Sequence, residues 1–197
     1  MEKINAMSID LEEWYHSELV GGRRSSVSQA ADATQPILDL LDQYQAKASF
    51  FVVGEVAEQN PGLIQSIFER GHEIGCHGYS HKLLWKLGET LFREELEHFH
   101  STIERILGKV KIKGFRAPSF SLDNRTKWAL KILSDFGYQY DASIFPLKLS
   151  SLYGVSGGPT RPYRISFSNL RKEDSQSPLM EFPLSPLMLG KLKVPIS

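Results

Sequence analysis

Apolar runs of strand length alternate along this chain with amphipathic stretches of helix length, and that alternation limits the possible folds more than any other feature. ASFFVVG, residues 48–54, is apolar almost without a break, the pattern of a strand covered on both faces. A short strand is expected before it over Ile4–Ile9, followed by a helix capped by Thr34 in which Ile37, Leu38, Leu40 and Leu41 recur at helical spacing. After it, NPGLIQSIFERG reads as a helix opened near Pro61 and closed by Gly71, and HEIGCH begins the next strand. GETLFREELEHFHSTIERILG sets Leu91, Leu96, Phe99, Ile103, Ile106 and Leu107 on one face and ends at Gly108. GFRAP is a fourth strand, DNRTKWALKILSDFG a helix ending at Gly137, and YQYDASIF an extended segment beyond it. Strands separated by helices imply right-handed crossovers, so the expected class is α/β, as a parallel sheet or a (β/α) barrel.

In such folds ligands gather at the C-terminal ends of strands, which makes polar residues there the ones to weigh. His77-Gly78-Tyr79-Ser80-His81 directly follows the HEIGC strand. On a helical turn, residues i and i+4 share a face with Cβ atoms about 5–6 Å apart, so both imidazoles can reach one metal ion. A third ligand should come from another strand end, because catalytic zinc commonly takes three protein ligands and keeps one position open. Ser8-Ile9-Asp10-Leu11-Glu12-Glu13-Trp14 offers three carboxylates at such an end. Asp10 and Glu12 point the same way if the strand persists, and Glu13 the opposite way; one carboxylate can bind metal while another acts as base.

Gly114-Phe115-Arg116-Ala117-Pro118-Ser119 places an arginine at a further strand end. Its planar, permanently charged fork can hold a carboxylate ionised, which makes Arg116 the candidate partner of Asp10; a surface ion pair is the plainer alternative. Asp141 is a fourth strand-end polar residue, with turn or helix capping as its plainer role. Among the other histidines, His98 and His100 read as helix surface or packing residues and His72 as the start of a strand, while His16 lies near the acidic loop.

The 23 basic and 23 acidic residues cancel, with no long run of one sign, so neither nucleic acid nor an anionic membrane is an expected partner. A neutral small molecule or a glycan fits better. The single cysteine, Cys76, excludes an internal disulfide and a cysteine-rich zinc site. The N-terminal MEKINAMSIDLEEW lacks an apolar signal region, and a cytoplasmic protein is expected. The length suits one domain over residues 1–197, in which the stretch from Leu147, rich in Gly, Pro and Ser, should form irregular loops and short β segments.

Taken in order, these segments resemble the polysaccharide deacetylases of carbohydrate esterase family four, the NodB-homology group. Ser8-Ile9-Asp10-Leu11-Glu12 corresponds to the first family motif, GHEIGCHGYSH to the metal-binding motif, FRAPSFS to the arginine motif and YDASIFP to a following aspartate motif. The likeness continues through EFPLSPL and KLKVPIS, and is greatest to bacterial deacetylases of exopolysaccharide and exosortase loci. It implies a distorted (β/α) barrel of fewer than eight strands and a metal-dependent hydrolase, zinc being the expected ion, that removes N-acetyl groups from a polysaccharide or peptidoglycan-type amino sugar.

Most of the family has two adjacent aspartates in the first motif, whereas Leu11 stands at the second position here. A subgroup with split carboxylates maps the base onto Asp10 and the ligands onto Glu12, His77 and His81, with Glu13 as the fallback ligand. Arg116 and Asp141 complete the implied catalytic set. Family members protonate the leaving amine with a histidine in a fifth motif, and no histidine follows His100 here, so a C-terminally incomplete barrel is expected. The alternatives are an allantoinase-like hydrolase of a non-sugar amide and an inactive glycan-binding remnant.

Overall fold

The computed structural model describes residues 6–17, 28–146, 154–189 and 192–195, which divide between two compact units. Ile4 and Asn5 of the expected first strand, and residues 147–153 of the expected irregular stretch, lie outside the described residues. No helix among the described residues is long and apolar enough to cross a membrane.

The first unit comprises Met1–His81 and Glu95–Ile112. Its sheet consists of β1 (Met7–Leu11), β2 (Ala48–Val52) and β3 (Glu73–Cys76), all parallel, with β2 in the middle. Phe50, Phe51, Val52 and the following Val53 are almost wholly buried, which is why this run carries no alternation. Its polar member, Ser49, donates its hydroxyl to Glu73 on β3 at 2.5 Å. The register pairs Leu11 with Val52 and Val52 with Cys76, so the three strands end level.

Helix α1 (Ala30–Gln43) buries Leu38 and Leu41 but begins four residues before the expected cap. Thr34 lies inside it, buried, with Oγ1 donating to Ala30 O at 2.6 Å. Helix α2 (Gly54–Gln59) occupies the stretch between the expected strand and the expected helix at Pro61, where the sequence predicts no element. It starts where the amides of Gly54 and Glu55 bond to the carbonyls of Gly78 and Tyr79, at 3.0 and 2.9 Å. A Cβ on Gly54 would sit 2.2 Å from Tyr79 Cδ2 and 2.9 Å from Tyr79 Cα, so only glycine allows this approach. Helix α3 (Pro61–Glu69) buries Leu63, Ile64 and Ile67. Helix α4 (Leu84–Leu107) starts before the expected Gly88, whose φ of +69° interrupts it; its part from Glu95 onward packs Leu96, Phe99 and Ile103 into the first unit.

The second unit comprises Lys82–Glu94 and Lys113–Ser197. Here β4 (Gly114–Phe115), β5 (Tyr140–Asp141) and β7 (Met180–Glu181) are parallel, and β6 (Tyr163–Arg164) is antiparallel to β7. Helix α5 (Trp128–Asp135) joins β4 to β5 and buries Leu130, Ile132 and Leu133. A hairpin of β8 (Pro186–Leu189) and β9 (Leu192–Pro195) follows, and no helix occurs among the described residues after 154. Parallel strands linked by helices make the chain α/β, as expected.

Asp141 and Glu181 are register partners on β5 and β7, and both are fully buried. Ser143 gives Asp141 its hydroxyl at 2.5 Å and its amide at 3.2 Å, and the Ile144 amide bonds to Glu181 Oε1 at 3.0 Å. Two neighbouring carboxylates cannot both stay ionised in a dry site. Burial raises Asp141, against the pull of Ser143 and the positive Arg116; burial and the Asp141 charge together hold Glu181 well above the ordinary carboxyl range. The pair therefore retains a proton.

Because the folded-state value of Glu181 is raised, the stability it allows is complete below the ordinary value of 4.5 and is lost as pH rises toward the folded-state value. Glu181→Gln should remove that loss, changing the slope of stability against pH by up to about 1.4 kcal/mol per unit above pH 5. Urea unfolding of both proteins across the acid to neutral range measures it; parallel curves would show that no proton is held there.

Candidate metal centre

The level strand ends of the first unit put Glu12, Val53 and His77 at adjacent exits from the sheet, one residue beyond the paired Leu11, Val52 and Cys76. Parallel strands lie about 4.8 Å apart, so long side chains leaving β1 and β3, which flank β2, can converge beyond its end. Glu12, His77 and His81 each present one ligand atom, all within 4.8 Å of one another. Both histidines are buried and Glu12 is half-buried.

The segment from His77 to His81 is a loop, not the helical turn that the i, i+4 spacing suggested. Gly78 at φ +73° and His81 at φ +56° wind it back on itself, and the two rings come to 5.0 Å between centroids at 66°. His81 Nε2 lies 2.6 Å from Glu12 Oε2, and His77 Nε2 lies 3.8 Å from Asp10 Oδ2. Burial pushes the Glu12 carboxyl up, but His81, then His77 and His16, outweigh it and hold the group below its ordinary value. Glu12 is thus an anion among imidazoles.

Glu12 Oε2, although close to His81 Nε2, and His81 Nδ1 are buried without an aligned hydrogen bond. A buried acceptor left in that state is unfavourable by roughly 1–3 kcal/mol, and a cation between carboxylate and imidazoles would satisfy it. One carboxylate and two imidazoles also form a donor set suited to zinc or a similar divalent ion with a position left open. The residues present fit such an ion. Asp10, half-buried beside His77, stands next to the three candidate ligands without being one of them.

Glu13 turns the other way and has a different task. Its carboxylate accepts the amides of Gln29 and Ala30 at 3.1 Å and the Ser28 hydroxyl at 2.5 Å, so it caps α1 across a long sequence separation. That replaces the cap expected from Thr34 and engages both Glu13 carboxylate oxygens at the start of α1. Nothing local in the sequence announces a cap supplied from 16 residues upstream.

His16 is brought to the site as a neighbour. Its Nδ1 accepts the Glu13 amide at 3.1 Å, its ring stacks on His81 at 5.6 Å and 19°, and its Nε2 faces Glu55 at 3.6 Å. His98 stacks on Tyr79 at 3.7 Å, a packing role as expected. His72 immediately precedes β3, where its Nδ1 accepts the Ala48 amide at 3.3 Å, and His100 lies on α4 with its pKa lowered by burial.

Asp10 and Arg116, expected as partners, belong to different units. Within the second, Arg116 Nε donates to Ala142 O at 3.0 Å and its charge acts on the buried Asp141 and Glu181. Asp141, with no exposed surface, holds the turn after β5 through Ser143. Glu181 went unremarked at the sequence level, although a carboxylate inside the apolar LMEFPL stretch is an anomaly that could have drawn notice.

The family model for polysaccharide deacetylases matches residues 26–140, more than half of the chain. A peptidoglycan-N-acetylglucosamine deacetylase of Bacillus cereus is 39% identical over 97 residues, covering 49% of this chain and 35% of that protein. A bifunctional xylanase/deacetylase of Pseudobutyrivibrio xylanivorans is 32% identical over 95 residues, covering 48% and 16%. A crystal structure of a candidate polysaccharide deacetylase from Mycobacterium smegmatis aligns with a TM-score of 0.68 and 26% identity over 91% of this chain and 58% of that one. The chain thus covers less than two thirds of each relative's length, and its α/β fold is shared with the mycobacterial structure.

The two neighbouring glutamates should separate cleanly. Glu13→Ala is expected to lower stability by about 1–3 kcal/mol through loss of the α1 cap and to leave zinc affinity within a few-fold. Glu12→Ala should abolish tight zinc binding with a much smaller change in stability. Thermal melts of the metal-free proteins and calorimetric zinc titrations measure both, and the opposite pattern would move the ligand to Glu13.

Proposed function

We propose, because the chain belongs to the polysaccharide deacetylase family, that it hydrolyses N-acetyl groups on an amino-sugar polymer of the peptidoglycan or exopolysaccharide kind, with a divalent cation, zinc first, as cofactor. The observation that carries this reading is the convergence of Glu12, His77 and His81 within 4.8 Å at the strand ends, with Asp10 beside them. The similarity to a peptidoglycan-N-acetylglucosamine deacetylase supports the choice of an acetylated amino sugar over a non-sugar amide.

A cation bound by Glu12, His77 and His81 would supply Lewis-acid chemistry, activation of a water and polarisation of the acetyl carbonyl. The rest belongs to the chain. Asp10 is the base: it takes the proton of the attacking water, and that proton is then available to the amine nitrogen as the carbon–nitrogen bond breaks and acetate departs. Glu12 is the longer of the two carboxylates, which lets it reach the histidines from beyond the end of β1 while Asp10 stays on the strand. Arg116 and Asp141 are assigned positioning roles, since the arginine acts on buried carboxylates and Asp141 has no exposed atom for a substrate to meet.

The zinc-loaded protein should release acetate from N-acetylglucosamine oligomers, lose that activity on chelation and regain it with added zinc. Asp10→Asn should reduce kcat by roughly 10²–10⁴-fold with bound zinc unchanged. Metal analysis beside an acetate assay decides the matter, and a protein that binds no divalent ion ends the proposal. A parallel assay on a cyclic ureide should show no turnover.

A further inference from the structure

We infer that Glu95, on α4, is a positioning residue of the metal centre, holding the loop that carries both histidine ligands; the inference rests on the reading of Glu12, His77 and His81 as a metal site. Glu95 Oε2 accepts the amides of Tyr79 and Ser80, each at 2.8 Å, and Oε1 accepts the Ser80 hydroxyl at 2.5 Å. One carboxylate therefore binds two of the three residues between the ligands. Consecutive amides aimed at a single anion form a nest, and bonds to an ionised acceptor are stronger than neutral ones.

The loop needs outside support. It has no regular secondary structure, and His81 sits at φ +56°, a left-handed conformation that costs a non-glycine residue roughly 1–2 kcal/mol. Further contacts from α2 and from α4 itself also fix it. The carbonyls of Gly78 and Tyr79 accept the amides of Gly54 and Glu55, and the Tyr79 ring is held by stacking on His98 and by its hydroxyl donating to Glu58, which also accepts Arg105 Nη2 at 3.0 Å. Glu95 alone among these supplies the charge that gathers the amides. It is not among the three ligand residues and would act on the ion only through the placement of His77 and His81.

Zinc titration of the metal-free protein, the visible spectrum of the cobalt(II) form and amide exchange at Tyr79 and Ser80 test this together. Glu95→Ala should bind zinc about 10–100-fold more weakly, the range usual for partners that orient metal ligands, with an altered cobalt spectrum and faster exchange at both amides. Glu95→Gln keeps an acceptor oxygen and the shape but not the charge, and should recover part of the affinity. Circular dichroism confirms folding; if Glu95→Ala does not fold, Ser80→Ala, which deletes only the hydroxyl bond, should still weaken zinc by a few-fold. Wild-type affinity and spectrum in folded Glu95→Ala, or an equal loss in the alanine and glutamine variants, overturns the role of Glu95. If the unaltered protein binds no zinc, the metal-site reading itself has failed and this inference falls with it.

Discussion

The parallel pairing of β1, β2 and β3 is the constraint from which the site follows. Phe50, Phe51, Val52 and Val53 can be buried only if the strand carrying them is covered on both faces and its backbone is bonded on both edges. Parallel pairing with strands before and after it in sequence satisfies those needs and forces each connection to cross through a helix. It also brings the three C-terminal ends level, so residues far apart in sequence, Glu12 and His77, leave the sheet at neighbouring points. The position of these candidate ligands is a by-product of how the most apolar strand satisfies its backbone.

Each unit buries carboxyl groups, and they do so by different means. In the second, Asp141 and Glu181 are fully enclosed and keep a proton, with Ser143 and Ile144 bonded to them and the charge of Arg116 acting on both. In the first, Glu12 stays an anion because three histidines surround it, at the expense of buried atoms left without an aligned hydrogen bond. A protonated pair is chemically quiet and suits a structural position. An anion among imidazoles at the strand ends suits a cation, and the difference separates a packing solution from a reactive one.

Much of this was legible in the sequence because its signals are local. Continuous apolarity marked β2, Pro61 and Gly71 bounded α3, helical spacing marked α1 and the later part of α4, and the position of polar residues at strand ends singled out Asp10, Glu12, His77 and His81. What was not legible depends on contacts between distant segments. Thr34 has the chemistry of an N-cap, yet Glu13 is already in place to cap α1 earlier, and a carboxylate receiving two amides and a hydroxyl outweighs one threonine hydroxyl. Likewise, His77 and His81 have helical spacing, but Gly78 in the left-handed region ends any helix there. Glu95 left a faint trace, since it falls on the helix stripe between Leu91 and Phe99, where a carboxylate needs a reason to be.

The loop form of the histidine pair has a physical logic of its own. A helical turn would fix both rings through its own backbone bonds and would direct them along the axis of whichever helix carried them. A loop can instead fold its two imidazoles toward a carboxylate arriving from another strand, but it brings no internal bonds to hold them there. The missing rigidity is imported: amides from the start of α2 bind its carbonyls, and the carboxylate of Glu95 binds its amides. Gly54 belongs to the same arrangement, because any side chain at that position would drive Tyr79 away and open the carbonyl contacts. The histidine pair is thus held in place by bonds from the helices that flank its loop rather than by bonds within the loop.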